Sequence, residues 1–143
     1  MKAETSSQNS YTSKKLTAGT TYKYKVRAYI KVNGKIVYGK YSSIFTTGTS
    51  AKKVSISAKL SKKNATISWK KVTGASGYEI YMSTSKNGTY DLVGTVTKGS
   101  KESYVKKNLA KGQTYYFKVK VYRTINKVKI YSDYSSVKSV KVK

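Results

Sequence analysis

Lysine and tyrosine alternate along two stretches of this 143-residue chain, and these side chains have the clearest capacity for binding chemistry. Because every second residue of an extended strand lies on the same face, each stretch predicts a row of side chains facing one way. Such rows of cations and rings favour binding to phosphate-bearing polymers and stacking on sugars. The plain alternative is a solvated sheet face whose aromatic side chains pair across strands. The candidate polyanion- and glycan-binding residues are Lys23, Lys25, Arg27, Tyr116, Lys118, Lys120 and Tyr122.

The residue inventory argues against catalysis. The chain has no histidine, no cysteine and only five acidic residues. It therefore lacks the most common general base, the thiol nucleophile and the soft metal ligands. Glu79 and Asp91 are expected to be isolated surface charges on strands. We expect no catalytic residue, no metal site and no cofactor, and a protein that is not an enzyme.

The net charge of +25 is the strongest feature of the composition. It is spread along the chain, with +8 in residues 1–50 and +17 in the rest. Such a surface attracts nucleic acid, anionic membranes or phosphate-bearing cell-wall polymers. Basic charge with interleaved aromatics is used by single-strand binders, so non-specific nucleic-acid binding is an alternative function. However, only Arg27 and Arg123 are arginines, and no nucleic-acid-reading motif is present. A bias in composition that serves only solubility is a further alternative.

A segment of the chain is repeated. Residues 10–47 align without a gap to residues 103–140, and 15 of these 38 pairs are identical. A period of 93 residues indicates tandem modules rather than one continuous core,. Because the counterpart of residues 51–102 is missing ahead of the first copy, the chain is expected to hold one and a half repeats of a longer array.

Alternation of apolar and polar residues, interrupted about every ten residues by Gly, Asn and Ser, predicts an all-β sandwich. In the first copy, Asn33-Gly34 predicts a tight hairpin, because both turn positions require positive φ,. No helical periodicity is present over a useful length. The predicted strands of the second part are 54–60, 65–69, 78–82, 89–96, 103–107, 114–121 and 129–142, with a bulge expected near Val137 and Val140. The first copy repeats the clearest strand at 21–28.

Four motifs resemble those of a fibronectin type III domain of the kind found along secreted proteins of Gram-positive bacteria. Ile67-Ser68-Trp69 resembles its second strand, and residues 72–81 resemble the loop and third strand. Leu109, Gly112 and Tyr115 have the spacing of the tyrosine corner, which Leu16, Gly19 and Tyr22 repeat. Residues 131–136 resemble the entry to the final strand. Lys111 departs from the family, where proline often precedes the glycine, and no Arg-Gly-Asp is present.

The resemblance implies an immunoglobulin-like antiparallel sandwich of seven strands at 51–143. It implies that residues 1–49 are the C-terminal half of another repeat, a partial sandwich of about three strands. It further implies a non-catalytic extracellular spacer or adhesion module, whose signal peptide lies outside this chain. The hydroxyls of Tyr22 and Tyr115 are expected to bond to backbone a few residues upstream. The expected structural core is Trp69, Ile67, Tyr78, Ile80, Leu109, Tyr115, Phe117, Val119, Leu16 and Tyr22.

The half repeat predicts exposed apolar side chains and open strand edges, which favour association. Either residues 1–49 are truncated or a partner completes the sheet. Because the copies are similar, residues 10–48 could replace 103–140 in another chain, which would give a homodimer by strand exchange. The expected partners are therefore an anionic cell-wall polymer or polysaccharide, neighbouring repeats of the same chain, or a second copy. No transmembrane segment is expected.

Overall fold

In the computed structural model, which describes residues 10–143, the chain forms β-strands in antiparallel pairs and no helix. Four short strands lie in the leading unit, residues 10–50: β1 (Thr21–Tyr24), β2 (Tyr29–Val32), β3 (Lys35–Tyr38) and β4 (Phe45–Gly48). Eight lie in the complete unit, residues 51–143: β5 (Ile56–Ser61), β6 (Asn64–Trp69), β7 (Gly77–Ser83), β8 (Asp91–Val96), β9 (Ser103–Lys106), β10 (Thr114–Ile125), β11 (Val128–Tyr131) and β12 (Lys138–Lys141).

The complete unit is a two-layer sandwich. One sheet has the order β5-β6-β9, and the other has the order β11-β10-β7-β8, with β12 also paired to β10. β11 and β12 both pair with β10, so they are two parts of one broken seventh strand. The predicted all-β, immunoglobulin-like sandwich is confirmed. Alternation along β10 places one set of side chains in the interior and the other on the outer face of its sheet.

The interior of the complete unit is made by the inward residues of both sheets. The structure buries all eight residues expected there: Trp69, Ile67, Tyr78, Ile80, Leu109, Tyr115, Phe117 and Val119. The Trp69 ring lies 4.8 Å from the Tyr78 ring, centroid to centroid. Its indole nitrogen donates a 3.0 Å hydrogen bond to the Lys101 carbonyl, so the largest core side chain is also satisfied as a donor,.

The last predicted strand, 129–142, is broken rather than bulged. Between β11 and β12, two serine side chains replace part of the backbone ladder. Ser132 and Ser135 accept hydrogen bonds from the amides of Val121 and Val119 through their hydroxyl oxygens. Their own amides donate back to the carbonyls of the same two residues. The chain therefore follows β10 without regular pairing, because each serine supplies its own acceptor.

The leading unit differs from the expected three strands. The counterpart of β9 is not a strand, and the counterpart of β10 is interrupted at 25–28 between β1 and β2. In the complete unit these segments pair with β6 and β7, and residues 10–50 contain no equivalents of those two strands. A strand without a neighbour loses its ladder hydrogen bonds, which accounts for both differences.

The same absence corrects two expected core residues. Leu16 is 39 % exposed, and Tyr22 is only partly buried, because residues 10–50 contain no second sheet to cover them. The tyrosine-corner bond forms nonetheless. The Tyr22 hydroxyl accepts a 2.8 Å hydrogen bond from the Thr17 amide. In the complete unit the Tyr115 hydroxyl accepts a 3.0 Å bond from the Ala110 amide. This corner is thus set by local sequence, whereas burial requires the other sheet.

Both units close the same hairpin in the same way. Asn33 and Gly34 have φ values of 50° and 76°, as the predicted two-residue turn between β2 and β3 requires,. Their counterparts, Asn126 and Lys127, have φ values of 50° and 66°. The second turn therefore keeps the left-handed backbone without glycine, at a steric cost that Gly34 avoids in the first turn,.

Candidate functional site

The outer face of β10 carries cations seated on tyrosine rings. The Lys118 ammonium lies 4.1 Å from the ring centre of Tyr90 and 4.0 Å from that of Tyr134. The Lys120 ammonium lies 4.2 Å from the Tyr134 ring centre and 5.7 Å from that of Tyr131. Each cation is within the range of a favourable cation–π contact. We call this row, with its counterpart in the leading unit, the cation–tyrosine ladder.

The leading unit repeats the ladder at equivalent positions. The Lys25 ammonium lies 3.9 Å from the ring centre of Tyr41, and the Arg27 guanidinium lies 3.5 Å from that of Tyr38. Arg27 also lies 4.7 Å from the Tyr41 ring. These pairs align with those of Lys118, Lys120 and their tyrosines. The ladder therefore forms in a unit that lacks its second sheet, which shows that it belongs to the outer face alone.

The remaining predicted binding residues are distributed differently. Lys23 is exposed on β1, and Tyr116 is partly buried on β10. The prediction that Tyr122 belongs to the binding face is wrong, because its side chain is only 5 % exposed and cannot stack on a ligand. A Cβ at Gly77 would lie 2.4 Å from the Tyr122 hydroxyl, so this glycine makes room for the ring. Lys129 covers the ring from outside, 4.3 Å from its centre.

Glu79, expected to be an isolated surface charge, is the centre of a buried polar network. The residue is 6 % exposed and accepts three hydrogen bonds. The hydroxyl of Tyr81 donates to one carboxylate oxygen at 2.8 Å. The hydroxyl of Tyr131 and the ammonium of Lys129 both donate to the other at 2.9 Å. The carboxylate thus links β7 to β11 across the outer face of β10.

Hydrogen bonds and burial within this network shift the pKa values of its side chains. Burial alone would raise the pKa of Glu79, but the hydrogen bonds from Lys129, Tyr81 and Tyr131 outweigh it and hold that pKa below its usual range,. Burial, followed by the hydrogen bond to the Glu79 carboxylate, raises the pKa of the Tyr81 hydroxyl. The hydrogen bond to Glu79 also raises the pKa of Lys129. At neutral pH the network therefore holds one ion pair flanked by two neutral phenols.

A second buried charge, which the sequence analysis did not identify, joins the two units. Arg123 is 7 % exposed, and its guanidinium donates hydrogen bonds in two directions. Its Nε donates to the Gly74 carbonyl of its own unit at 2.9 Å. Its Nη1 donates to two leading-unit carbonyls, that of Thr49 at 2.7 Å and that of Thr20 at 3.1 Å. Its Nη2 donates to the Thr21 hydroxyl at 3.0 Å.

Glycines allow the two units to come this close. A Cβ at Gly74 would lie 2.5 Å from the Gly19 carbonyl oxygen, and one at Gly48 would lie 2.3 Å from the Ile125 side chain. The Asn126 side-chain amide adds a 3.0 Å hydrogen bond to the Thr46 carbonyl. We call this contact, centred on Arg123, the inter-unit joint. In the sequence, this joint is marked only by a difference between the two copies, because Ile30 stands in the first copy where Arg123 stands in the second.

The side chains of these sites present cationic, hydroxyl and aromatic groups. Within residues 10–143, no three histidine, cysteine, aspartate or glutamate side chains come together as metal ligands would. In the same part of the chain, no helix has the length and apolarity needed to cross a bilayer. The two buried charges face partners within the protein, and the ladder cations face tyrosine rings.

Solved structures similar to this chain include fibronectin type III domains. The alignment with the FN1–FN3 domains of chicken CNTN1 covers 86 % of this chain and 42 % of that structure, with a TM-score of 0.53 and 20 % identity. The structure of FN3tt mut matches 64 % of this chain and 94 % of its own, with a TM-score of 0.51 and 20 % identity. A fibronectin type III domain derived from human KIAA0970 protein matches 64 % of this chain and 72 % of its own, with a TM-score of 0.47 and 17 % identity. No protein-family model and no curated protein matches the chain. The first two likenesses establish a fibronectin type III fold.

Proposed function

We propose that this chain is a non-catalytic extracellular spacer and adhesion module of a larger bacterial surface protein. Its basic surface would hold it against anionic cell-wall polymers or glycans. The fibronectin type III fold supports the modular role, since such domains commonly serve as extracellular spacers or adhesion modules. The net charge of +25 supports the attraction to polyanions,.

The inter-unit joint carries the spacer proposal. Contacts between domains of one chain are by default mobile unless the interface is well made. Here a nearly buried guanidinium makes three hydrogen bonds to the leading unit and one to its own. Separating the units would remove three of the four acceptors of the Arg123 guanidinium. Because an unpaired buried charge is costly, separation would require water to solvate the guanidinium instead. Such a contact would hold two successive modules in a fixed orientation, as a rigid spacer needs.

Relaxation of backbone ¹⁵N nuclei tests the spacer role. In the native chain, the amides of β1–β4 and of β5–β12 are expected to report one common rotational correlation time. In Arg123→Gln, the two units are expected to report different and shorter times, while the fold of the complete unit is kept. Independent tumbling of the two units in the native chain would overturn the spacer proposal.

Retention on a matrix coated with poly(glycerol phosphate) tests the adhesion role. Weak binding is expected that falls steeply with added salt, because it comes from release of counterions by many lysines. Replacing Lys23, Lys25, Lys118 and Lys120 with glutamate is expected to remove most of it. Absence of binding at low salt would contradict the adhesion role. Nucleic-acid binding is the alternative favoured by the same charge, and tight binding of single-stranded DNA that survives physiological salt would support it instead.

A homodimer by strand exchange is a further alternative, favoured by the exposed apolar residues of the leading unit. The composition of the two copies weighs against it. Thr47 stands where the complete unit has Val140, which is buried. Exchange would therefore place a hydroxyl in the core. A monomer by light scattering is expected, and a dimer that persists on dilution would support exchange.

A further inference from the structure

We propose that a lysine-lined groove at the inter-unit joint binds a flexible phosphodiester polymer with a polyol backbone. This inference rests on the proposed attraction to anionic polymers, and it names one site for it. The site differs from the cation–tyrosine ladder on the outer face of β10. It lies along the ends of β5 and β6, where the leading unit meets the complete unit.

The groove consists of two adjoining hollows that share Lys71 and Val72. One hollow, of about 560 Å³, runs along β5 and β6 from Lys53 to Lys70. The other, of about 430 Å³, lies between the units, where Thr17 and Ala18 of the leading unit face Lys52 and Thr73 of the complete unit. Both hollows are open to solvent rather than closed around a small ligand, and because they adjoin, an extended chain could lie across both.

Four lysines line this groove: Lys52, Lys53, Lys70 and Lys71. All four are exposed. Across residues 10–143, none of their ammonium groups has an ion pair, a hydrogen bond or an aromatic ring as partner. Glu102 lies beside Lys71, and one of its oxygens accepts a 2.8 Å hydrogen bond from the Lys71 backbone amide. The groove lysines thus offer more unused charge than Lys118 and Lys120, which already lie against tyrosines.

The other groups in the groove suit a polyol phosphate better than a nucleic acid. The exposed hydroxyls of Ser55, Ser57 and Thr73 offer hydrogen bonds to the hydroxyls between phosphates. The one aromatic side chain there, Trp69, is 6 % exposed and buried against Tyr78, so it gives bases nothing to stack on. Binding of single-stranded nucleic acid depends on such stacking as well as on charge.

Because the second hollow takes residues from both units, ligand and joint should be coupled. A polymer that bridges Thr17 and Lys52 binds best when Arg123 holds the units together. By thermodynamic linkage, the bound polymer must then stabilise the joint to the same degree. This coupling distinguishes the groove from diffuse attraction to the whole basic surface.

The test compares two variants of equal charge. In the groove variant, Lys52, Lys53, Lys70 and Lys71 become glutamine. In the control variant, four exposed lysines outside the groove lining become glutamine: Lys63, Lys86, Lys107 and Lys111. Affinity for a synthetic poly(glycerol phosphate) oligomer is measured by fluorescence anisotropy over a range of salt concentrations, with single-stranded oligo(dT) of matched charge as comparison. Amide chemical shifts of the native chain during titration locate the bound oligomer independently of any variant.

The groove variant is expected to bind poly(glycerol phosphate) at least about tenfold more weakly than the control variant. Its plot of log affinity against log salt concentration is expected to be less steep than that of the native chain by roughly 3, because four phosphate contacts are lost. The amides of Lys71 and Val72 are expected to shift most. Equal losses in the two variants would overturn the groove while leaving the proposed adhesion intact. No binding by the native chain would overturn both. A loss confined to oligo(dT) would overturn the assigned ligand.

Discussion

Leu16 and Leu109 occupy the same position in two copies of one sequence, yet Leu109 is 3 % exposed and Leu16 is 39 % exposed. Each is followed six residues later by the corner tyrosine, and in both units that tyrosine accepts the same local hydrogen bond. The copies differ in what lies opposite them. Leu109 lies in the core cluster to which β5, β6 and β7 contribute Ile56, Ile67 and Ile80, and residues 10–50 contain no counterparts of these strands. Burial of this leucine therefore depends on the missing half of the sandwich.

This pair gives a matched test of the core. Leu109→Ala is expected to lower the free energy of unfolding by about 2–5 kcal/mol, because it leaves a cavity in a packed interior. Leu16→Ala is expected to change it by less than about 0.5 kcal/mol, as exposed substitutions usually do. Urea denaturation followed by Trp69 fluorescence measures both. Equal effects of the two substitutions would mean that the leading unit is packed in solution.

Ser135 and its counterpart in the first copy, Ser42, give a second matched pair, because each hydroxyl accepts a hydrogen bond from a backbone amide. Ser135→Ala removes the acceptor of the buried Val119 amide, so the free energy of unfolding is expected to fall by about 1–3 kcal/mol,. Ser42→Ala removes the equivalent acceptor of the Val26 amide, which is exposed and can bond to water instead. Thermal unfolding of the complete unit should therefore respond to the first substitution and not to the second. A strong response to Ser42→Ala would contradict the assigned exposure.

The Glu79 network predicts a dependence of stability on acid. Its lowered folded-state pKa means that its contribution is complete above the unfolded-state value of 4.5 and is lost as pH falls through the lower, folded-state value,. Glu79→Gln is expected to destabilise the protein by about 2 kcal/mol at pH 7, because three donors lose a charged acceptor. The difference from the native chain should shrink towards pH 3. Denaturation at the two pH values measures it, and a gap that stays constant would show that the carboxylate charge is not responsible.

Close backbone approach at the inter-unit joint predicts sensitivity to one methyl group. In Gly48→Ala, the new Cβ would clash with the Ile125 side chain and lie 3.1 Å from the Arg123 Nη1 of the complete unit, and it would lie 2.8 Å from the Thr20 carbonyl of its own unit. The contacts around the Arg123 guanidinium must therefore shift. The Arg123 Nε–H should then exchange faster with solvent, as followed by NMR. Gly39→Ala is the control, because its nearest neighbour would be the Ala28 carbonyl at an ordinary 3.5 Å. Unchanged exchange in Gly48→Ala would contradict the joint.

Period-two alternation and the turn residues were enough to predict the sandwich and its interior. The Asn33-Gly34 turn and the inward Trp69 follow from local rules that hold wherever the strand finds a partner. The breaks at 25–28 and 132–137 could not be predicted in this way, because they depend on which neighbouring strand is present and on serine side chains that act as ladder acceptors. Local pattern determines the facing of a residue, and tertiary pairing determines whether a strand continues.

The polar sites were harder to predict than the core. Glu79 faces outward, as alternation requires, but tyrosines and Lys129 from neighbouring strands cover it. Tyr122 was assigned to the binding face, yet a small residue opposite it, Gly77, lets its ring sink into the sheet. Arg123 gave only a mismatch with Ile30 as a signal. In each case the outcome depends on cross-strand or inter-unit neighbours that are distant in sequence.

The distribution of distances between the two units shows most directly whether they form a fixed spacer. The chain has no cysteine, so Lys40→Cys and Lys107→Cys give two unique sites for spin labels, one in each unit. Pulsed dipolar spectroscopy is expected to give one narrow distribution in the native background and a broad one when Arg123→Gln is added. A broad distribution in both backgrounds would contradict the rigid joint and the spacer function that depends on it.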